Sequence, residues 1–190
     1  SHGIILDTTL FYPEGGGQLG DQGVLSQSAK KVNVLDTRIE SGVIIHLTDG
    51  DLELGRIEGN LNWGRRKQLM DHHTAVHVVG GSAREILGPH IWQAGSNKGE
   101  RYARIDLSHF RRLSRNDLDD IEDHANKIID NNVSVTKLIL DRADADLQFG
   151  FELYQGGPPK HSSIRIIKIG DHDVQACAGT HHDNVGEIGE

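Results

Sequence analysis

The run Asp71 to Val79, DHHTAVHVV, sets His73 and His77 four residues apart inside a stretch that reads as helix. Residues at i and i+4 of a helix share a face, with Cβ atoms about 5–6 Å apart, so two imidazoles can hold one metal ion. A second pair stands near the far end of the chain: in CAGTH the only cysteine, Cys177, precedes His181 by four. One thiolate and three imidazoles form a candidate zinc set, tetrahedral, with ligands at about 2.0–2.3 Å. Such an ion would tie distant segments into one domain and so constrain everything folded between them. Plainer readings compete. Two histidines on a helix face are often core or surface residues, and twelve histidines produce such spacings by chance. The lone cysteine favours the metal, because it cannot form an internal disulfide and CAGTH is too glycine-broken for a routine core segment. His182, directly after His181, is an alternative ligand. The helical zinc-protease motif HExxH requires a glutamate base where Thr74 stands, which argues against a protease.

At 190 residues the chain can form one large domain or two small ones. It contains no apolar run long enough to span a bilayer and no secretory segment, and a single cysteine suits a reducing compartment, so a cytosolic protein with no membrane partner is expected. Ser1-His2 reads as a cloning remnant. A net charge of −8 argues against general nucleic-acid binding by counterion release. RNA contact would be local, through Arg65, Arg66 and Lys67 or Arg111, Arg112 and Arg115, and each cluster could equally be a solvated face.

The hydrophobic period divides the chain near Trp63. Residues 1–62 read as strands and turns: GIILD, VNVLDT and GVIIHLT, with Asp49-Gly50 as a tight hairpin signal before LELGRI. This pattern predicts a small β-barrel or curled sheet. Within it lies the loop DTTLFYPEGGGQLGDQG, Asp7 to Gly23. Gly15, Gly17 and Gly20 satisfy GxGxxG, but no helix follows, so a dinucleotide site is rejected. Three consecutive glycines still require a sharp turn or the close approach of a ligand.

Residues 63–190 read as an α/β unit. A widely apolar helix carries Leu69, Met70, His73, His77, Gly80 and Gly81 on one stripe, with Ala75, Val76, Val79, Ala83 and Ile86 on the next. The two glycines suggest that another backbone crosses there, with the CAGTH loop as candidate. YARIDLS, VSVTKLIL and SIRIIKIG read as strands. Ser114 and Asp117 resemble a capping box ahead of an amphipathic helix carrying Leu118, Ile121, Ala125, Ile128 and Ile129. DRADADLQF reads as a short acidic helix or turn, and Gly156-Gly157-Pro158-Pro159 as an exposed loop. The expected fold is α+β, with helices on one face of a mainly antiparallel sheet.

Three segments in this order, DTTLFYPEGGGQLGDQG, HTAVH and CAGTHHDNVGEIG, resemble the hallmarks of alanyl-tRNA synthetase editing domains and of their freestanding AlaX-type relatives. The resemblance covers essentially the whole chain. It implies a small β-barrel subdomain packed on a two-layer α/β domain of the threonyl/alanyl-tRNA synthetase editing type, with zinc on His73, His77, Cys177 and His181. Gln18 matches the glutamine used at the editing pocket, and Thr9 the hydroxyl residue that meets the substrate's serine side chain. Ala178 stands where the family often has glycine. FELYQGGPP is similar to the archaeal type, and the chain stops soon after GEIG, where relatives continue, so an editing domain working in cis with the rest of the synthetase is expected.

The resemblance implies hydrolysis of Ser-tRNA(Ala) and Gly-tRNA(Ala) at the acceptor end. A zinc-stapled RNA-binding module without hydrolysis, a freestanding trans-editing protein, and a metalloenzyme acting on a small ester or peptide are the other readings.

Overall fold

The computed structural model of the chain describes residues 2–155, 157 and 161–189. Of the expected exposed loop, Gly156, Pro158 and Pro159 lie outside the described residues. Two compact units emerge, Ser1–Leu69 and Met70–Glu190.

The first unit contains β1 (His2–Ile4), β2 (Gly23–Gln27), β3 (Lys30–Glu40), β4 (Val43–Thr48) and β5 (Glu58–Leu61), in an antiparallel sheet of order β1-β4-β3-β2-β5. Alternate inward residues Leu25, Val32 and Val34 close over Phe11, with Ile4, Leu6, Leu52, Ile57 and Leu61 around them. The expected barrel does not form: among the described residues β1 and β5 each pair on one side only, so the sheet stays open. Closure needs two edge strands long enough to meet, and these span three and four residues. Nor does Asp49-Gly50 start a hairpin. The two-residue turns fall at Ser28-Ala29 and Ser41-Gly42, the latter with both φ angles positive as such hairpins require. LELGRI runs unpaired with any strand, and Gln27 substitutes for a neighbour: its side-chain amide donates to the Glu53 carbonyl and accepts from the Glu53 N–H, both at 2.9 Å.

Helix α1 (Trp63–Leu87) begins at the expected change of period. From Met70 onward the chain forms β6 (Gln93–Lys98), β7 (Ala103–Leu107), α2 (Arg115–Asp130), β8 (Val135–Asp141), α3 (Arg142–Phe149), β9 (Ser163–Ile169) and β10 (Asp173–Ala176). β6 and β7 form a hairpin, and the other strands an antiparallel sheet of order β10-β9-β8. Helices cover both faces of this sheet, not one. Ile167 and Ile169 of β9 pack with Val78 of α1 and Ala125 of α2, whereas Ile164 and Ile166, of opposite parity, pack with Ala145 of α3. SIRIIKI is apolar at both parities, which is the pattern of a strand buried on both sides.

The capping box is present: Ser114 Oγ accepts the Asp117 N–H at 3.2 Å, and the Asp117 carboxylate accepts the Ser114 N–H at 2.7 Å. Ile121 and Ala125 are buried, while Leu118 is exposed. Ser114→Ala is expected to destabilise the chain by about 1 kcal/mol, the usual cost of a lost N-cap, read from the shift in urea midpoint at unchanged slope.

Candidate metal centre

Most of α1 from Leu69 to Ala83 is buried, and among the buried side chains are His73 and His77 on one face. β10 leads directly into Cys177, whose N–H donates to the Arg165 carbonyl and prolongs the pairing with β9. The chain then turns through Ala178 and Gly179 to His181. The ligand atoms of His73, His77, Cys177 and His181 all lie within 4.8 Å of one another, so the sequence-predicted donors converge. Cys177 Sγ is 3.4 Å from Nε2 of His73 and 3.4 Å from Nε2 of His181. Tetrahedral zinc with ordinary Zn–S and Zn–N bonds separates such atoms by about 3.6 Å, so these two separations suit that ion.

The outward nitrogens are held. Nδ1 of His77 lies 3.1 Å from Asp173 Oδ2, and Asp173 in turn accepts from Gln175 at 3.0 Å and from Arg84 at 3.3 Å. Nδ1 of His181 lies 3.2 Å from the hydroxyl of Thr74, the residue standing where a zinc protease carries its glutamate. Fixing one imidazole nitrogen aims the other at the centre. His182 is not part of the set: its Nε2 lies 2.6 Å from Asp71 and its Nδ1 3.4 Å from Glu187.

Electrostatics favour the protonation states a metal needs at His73, His181 and Cys177, whereas His77 must give up a proton to bind one. Burial lowers His73 to about 4 and holds His181 well below the usual imidazole range, leaving both neutral. Burial alone would raise the Cys177 thiol, but hydrogen bonds from His181, His73 and His77 hold it well below its ordinary value. Burial likewise lowers His77, yet Asp173 and then Cys177 outweigh it and carry the ring up to about 9. Lys98, only 2% exposed, is brought down by burial to about 8 while donating to Ser96 Oγ at 2.5 Å.

Gly179 is where the loop meets the helix. A Cβ there would collide with the His73 ring, and Arg165 clamps the loop by donating to the carbonyls of Cys177 at 2.8 Å and Gly179 at 2.7 Å. The α1 glycines do something else: Gly80 faces Ile105 and Gly81 faces the His172 ring, so CAGTH does not cross there. Asp173, Arg165 and Gly179 escaped the sequence reading. Alternation along DVQAC, which gives Asp173, Gln175 and Cys177 one parity, was the signal that could have found Asp173. Asp173→Asn is expected to weaken metal binding about 10–100-fold, measured by competition with a chromophoric chelator.

In the first unit Gln18 is fully buried, at the end of a turn in which Gly16 and Gly17 have φ of 58° and 77° and Gly15 bridges to Gln18. Thr9 is half-buried, its Oγ1 accepting the Phe11 N–H at 3.1 Å. The arginine clusters are largely engaged within their own units. Arg66 makes a bidentate pair with Asp21 and donates to the Leu10 carbonyl, and Arg65 donates to the Gly20 carbonyl. Arg111 pairs with Asp117 and Arg115 with Asp119. In the second unit a cavity of about 420 Å³ is lined by Tyr154, Gln155, Arg165, Cys177 and Ala178 among others, and so reaches the metal cradle.

Comparison with known proteins places the chain among the tRNA synthetases. Residues 1–63 match the family of class II (A) tRNA synthetases, and residues 164–190 match the second additional domain of threonyl and alanyl tRNA synthetases. A class II synthetase module with that additional domain is therefore in view. Over 98% of its length the chain is 46% identical to alanine–tRNA ligase of Halorubrum lacusprofundi, 44% to that of Methanobrevibacter smithii and 41% to that of Metallosphaera sedula. It spans 20–21% of the length of these relatives. The chain belongs to the alanyl-tRNA synthetase family and corresponds to its editing domain. No helix among the described residues is long and apolar enough to cross a membrane.

Proposed function

We propose that this domain removes serine, and less efficiently glycine, from mischarged tRNA(Ala) by hydrolysing the aminoacyl ester at the acceptor end, in the cytosol and in cis with the rest of the synthetase. The need for such a site is physical. A pocket shaped for alanine cannot exclude the smaller glycine, and one added hydroxyl changes binding by only about 1–3 kcal/mol, so a second site must complete the selection. The observation that carries the reading is the four-donor cradle, His73, His77, Cys177 and His181, in a chain homologous to alanine–tRNA ligases.

In this reading residues 1–62 and 63–190 are the two functional parts of the domain. Zinc, when held by these residues, would either lower the pKa of a bound water toward about 7 or anchor the substrate's amino group and leave activation to ordered water. Asp173 and Thr74 fix His77 and His181, and Arg165 holds the cysteine loop in register with His73. Gln18, held in one orientation by its buried turn, orients the ester or the attacking water. Thr9 meets the serine hydroxyl. Alanine offers no hydroxyl and forgoes that hydrogen bond, so correctly charged tRNA is spared.

The test is release of serine from Ser-tRNA(Ala), with Ala-tRNA(Ala) as control, by protein of known metal content. Serine release that depends on the metal supports the proposal, whereas tRNA binding without release favours the stapled RNA-binding module. Thr9→Val is expected to lower the Ser-to-Ala rate ratio about tenfold, the worth of one hydrogen bond to an uncharged group. An unchanged ratio would discard the role given to Thr9.

A further inference from the structure

In the first unit a hydrogen bond joins half-buried Thr9 to His46 on β4. The His46 ring is fully buried and meets Phe11 edge-on, centroids 5.2 Å apart. Its Nδ1 lies 3.0 Å from the Ile4 carbonyl oxygen. A carbonyl oxygen can only accept, so Nδ1 carries a proton. Burial lowers the affinity of the ring for a second proton, which leaves Nε2 with a bare lone pair. Thr9 Oγ1 stands 2.8 Å from Nε2 and therefore donates its hydroxyl proton to His46.

The same oxygen accepts the Phe11 N–H. A hydroxyl has one proton and two lone pairs. With the proton and one lone pair engaged, a single acceptor position is left. Thr9 lines a cavity of about 460 Å³ together with the apolar Leu6, Phe11, Ile57 and Leu61 and the polar Thr8 and Asn60, which leaves room for a small group beside the hydroxyl.

We propose that His46 is a positioning residue that makes Thr9 an obligate hydrogen-bond acceptor, so that whatever Thr9 recognises must donate. The inference rests on the editing reading for its ligand, which is then the serine hydroxyl acting as donor. An aminoacyl group whose side-chain oxygen can only accept is rejected.

Two measurements on the 190-residue chain test this. In the nitrogen spectrum of the histidine rings, with His46 assigned by comparison with His46→Asn, Nδ1 is expected protonated and Nε2 bare at neutral pH. Protonation at Nε2 overturns the assignment. In parallel, deacylation is compared for tRNA carrying serine and O-methylserine, whose ether oxygen accepts but cannot donate. The unmodified chain is expected to hydrolyse O-methylserine at least about tenfold more slowly. His46→Asn keeps a donor for Ile4 and frees the Thr9 proton, so serine hydrolysis should fall about tenfold, glycine hydrolysis should hold, and O-methylserine hydrolysis should rise. Equal loss on all three substrates, or equal rates for serine and O-methylserine in the unmodified chain, overturns the proposal. An unmodified chain that releases no serine overturns the editing reading alone, and the nitrogen spectrum then decides the Thr9 assignment.

Discussion

Gly179→Ala is expected to abolish tight metal binding although it adds one methyl group and removes no ligand. The new Cβ would occupy the space of the His73 ring at Cε1 and Nδ1, and the ring is buried on α1. Retreat of the loop is blocked, because Arg165 holds the carbonyls on both sides of Ala178 and the Gly179 N–H points at Cys177 Sγ, 3.4 Å away. The ring must therefore rotate, and its Nε2 leaves the position it holds beside the sulfur. Chelator competition should show affinity reduced by about 100-fold or more, with serine release falling in parallel. Ala178→Gly, one residue earlier at an exposed position, is the control and should bind metal as the unmodified chain does. If Gly179→Ala binds as tightly as its parent, the loop is not held where the structure has it.

Local chemistry made part of this architecture legible in the sequence. The change from period 2 to period 3.6 marked the start of α1 at Trp63, and Ser114 with Asp117 marked the start of α2, because caps and periodicity are properties of neighbouring residues. The four donors were legible for the same reason, as two i, i+4 pairs with a lone cysteine. What escaped depends on distant partners. Whether β1 meets β5 is decided across the whole first unit, and three- and four-residue edges do not announce it. LELGRI has the composition of a strand, but its backbone is satisfied by the Gln27 side chain. β10, only four residues long and carrying Asp173 and Gln175 inward, lacks the apolar alternation of a strand because its buried face serves the metal cradle. Arg66 looked like a surface cation until Asp21, far away in sequence, proved to be its partner.

Cys177→Ala should separate a catalytic from a structural role for the metal. The cysteine is the one anionic donor in the cradle, and three imidazoles alone leave the ion's double charge uncompensated in a buried site. Metal content after dialysis against a chelator is expected to fall from one per chain to background, and serine release with it. Ligand linkage then gives the stability side. At free zinc about a thousand times its dissociation constant the unmodified chain gains about 4 kcal/mol, so its melting temperature rises on adding zinc while that of the variant does not move. The metal-free fold has its own support, because the buried core of Val78, Ala125, Val135, Ile167, Ile169 and Val185 holds none of the three histidines, and Cys177, which packs against it, keeps its Cβ in the alanine variant. Far-ultraviolet dichroism of Cys177→Ala should therefore match the unmodified chain at 25 °C, with activity lost and fold retained. Unfolding of the variant under those conditions would make the ion a staple, and the hydrolytic role given to the cradle would fall with it.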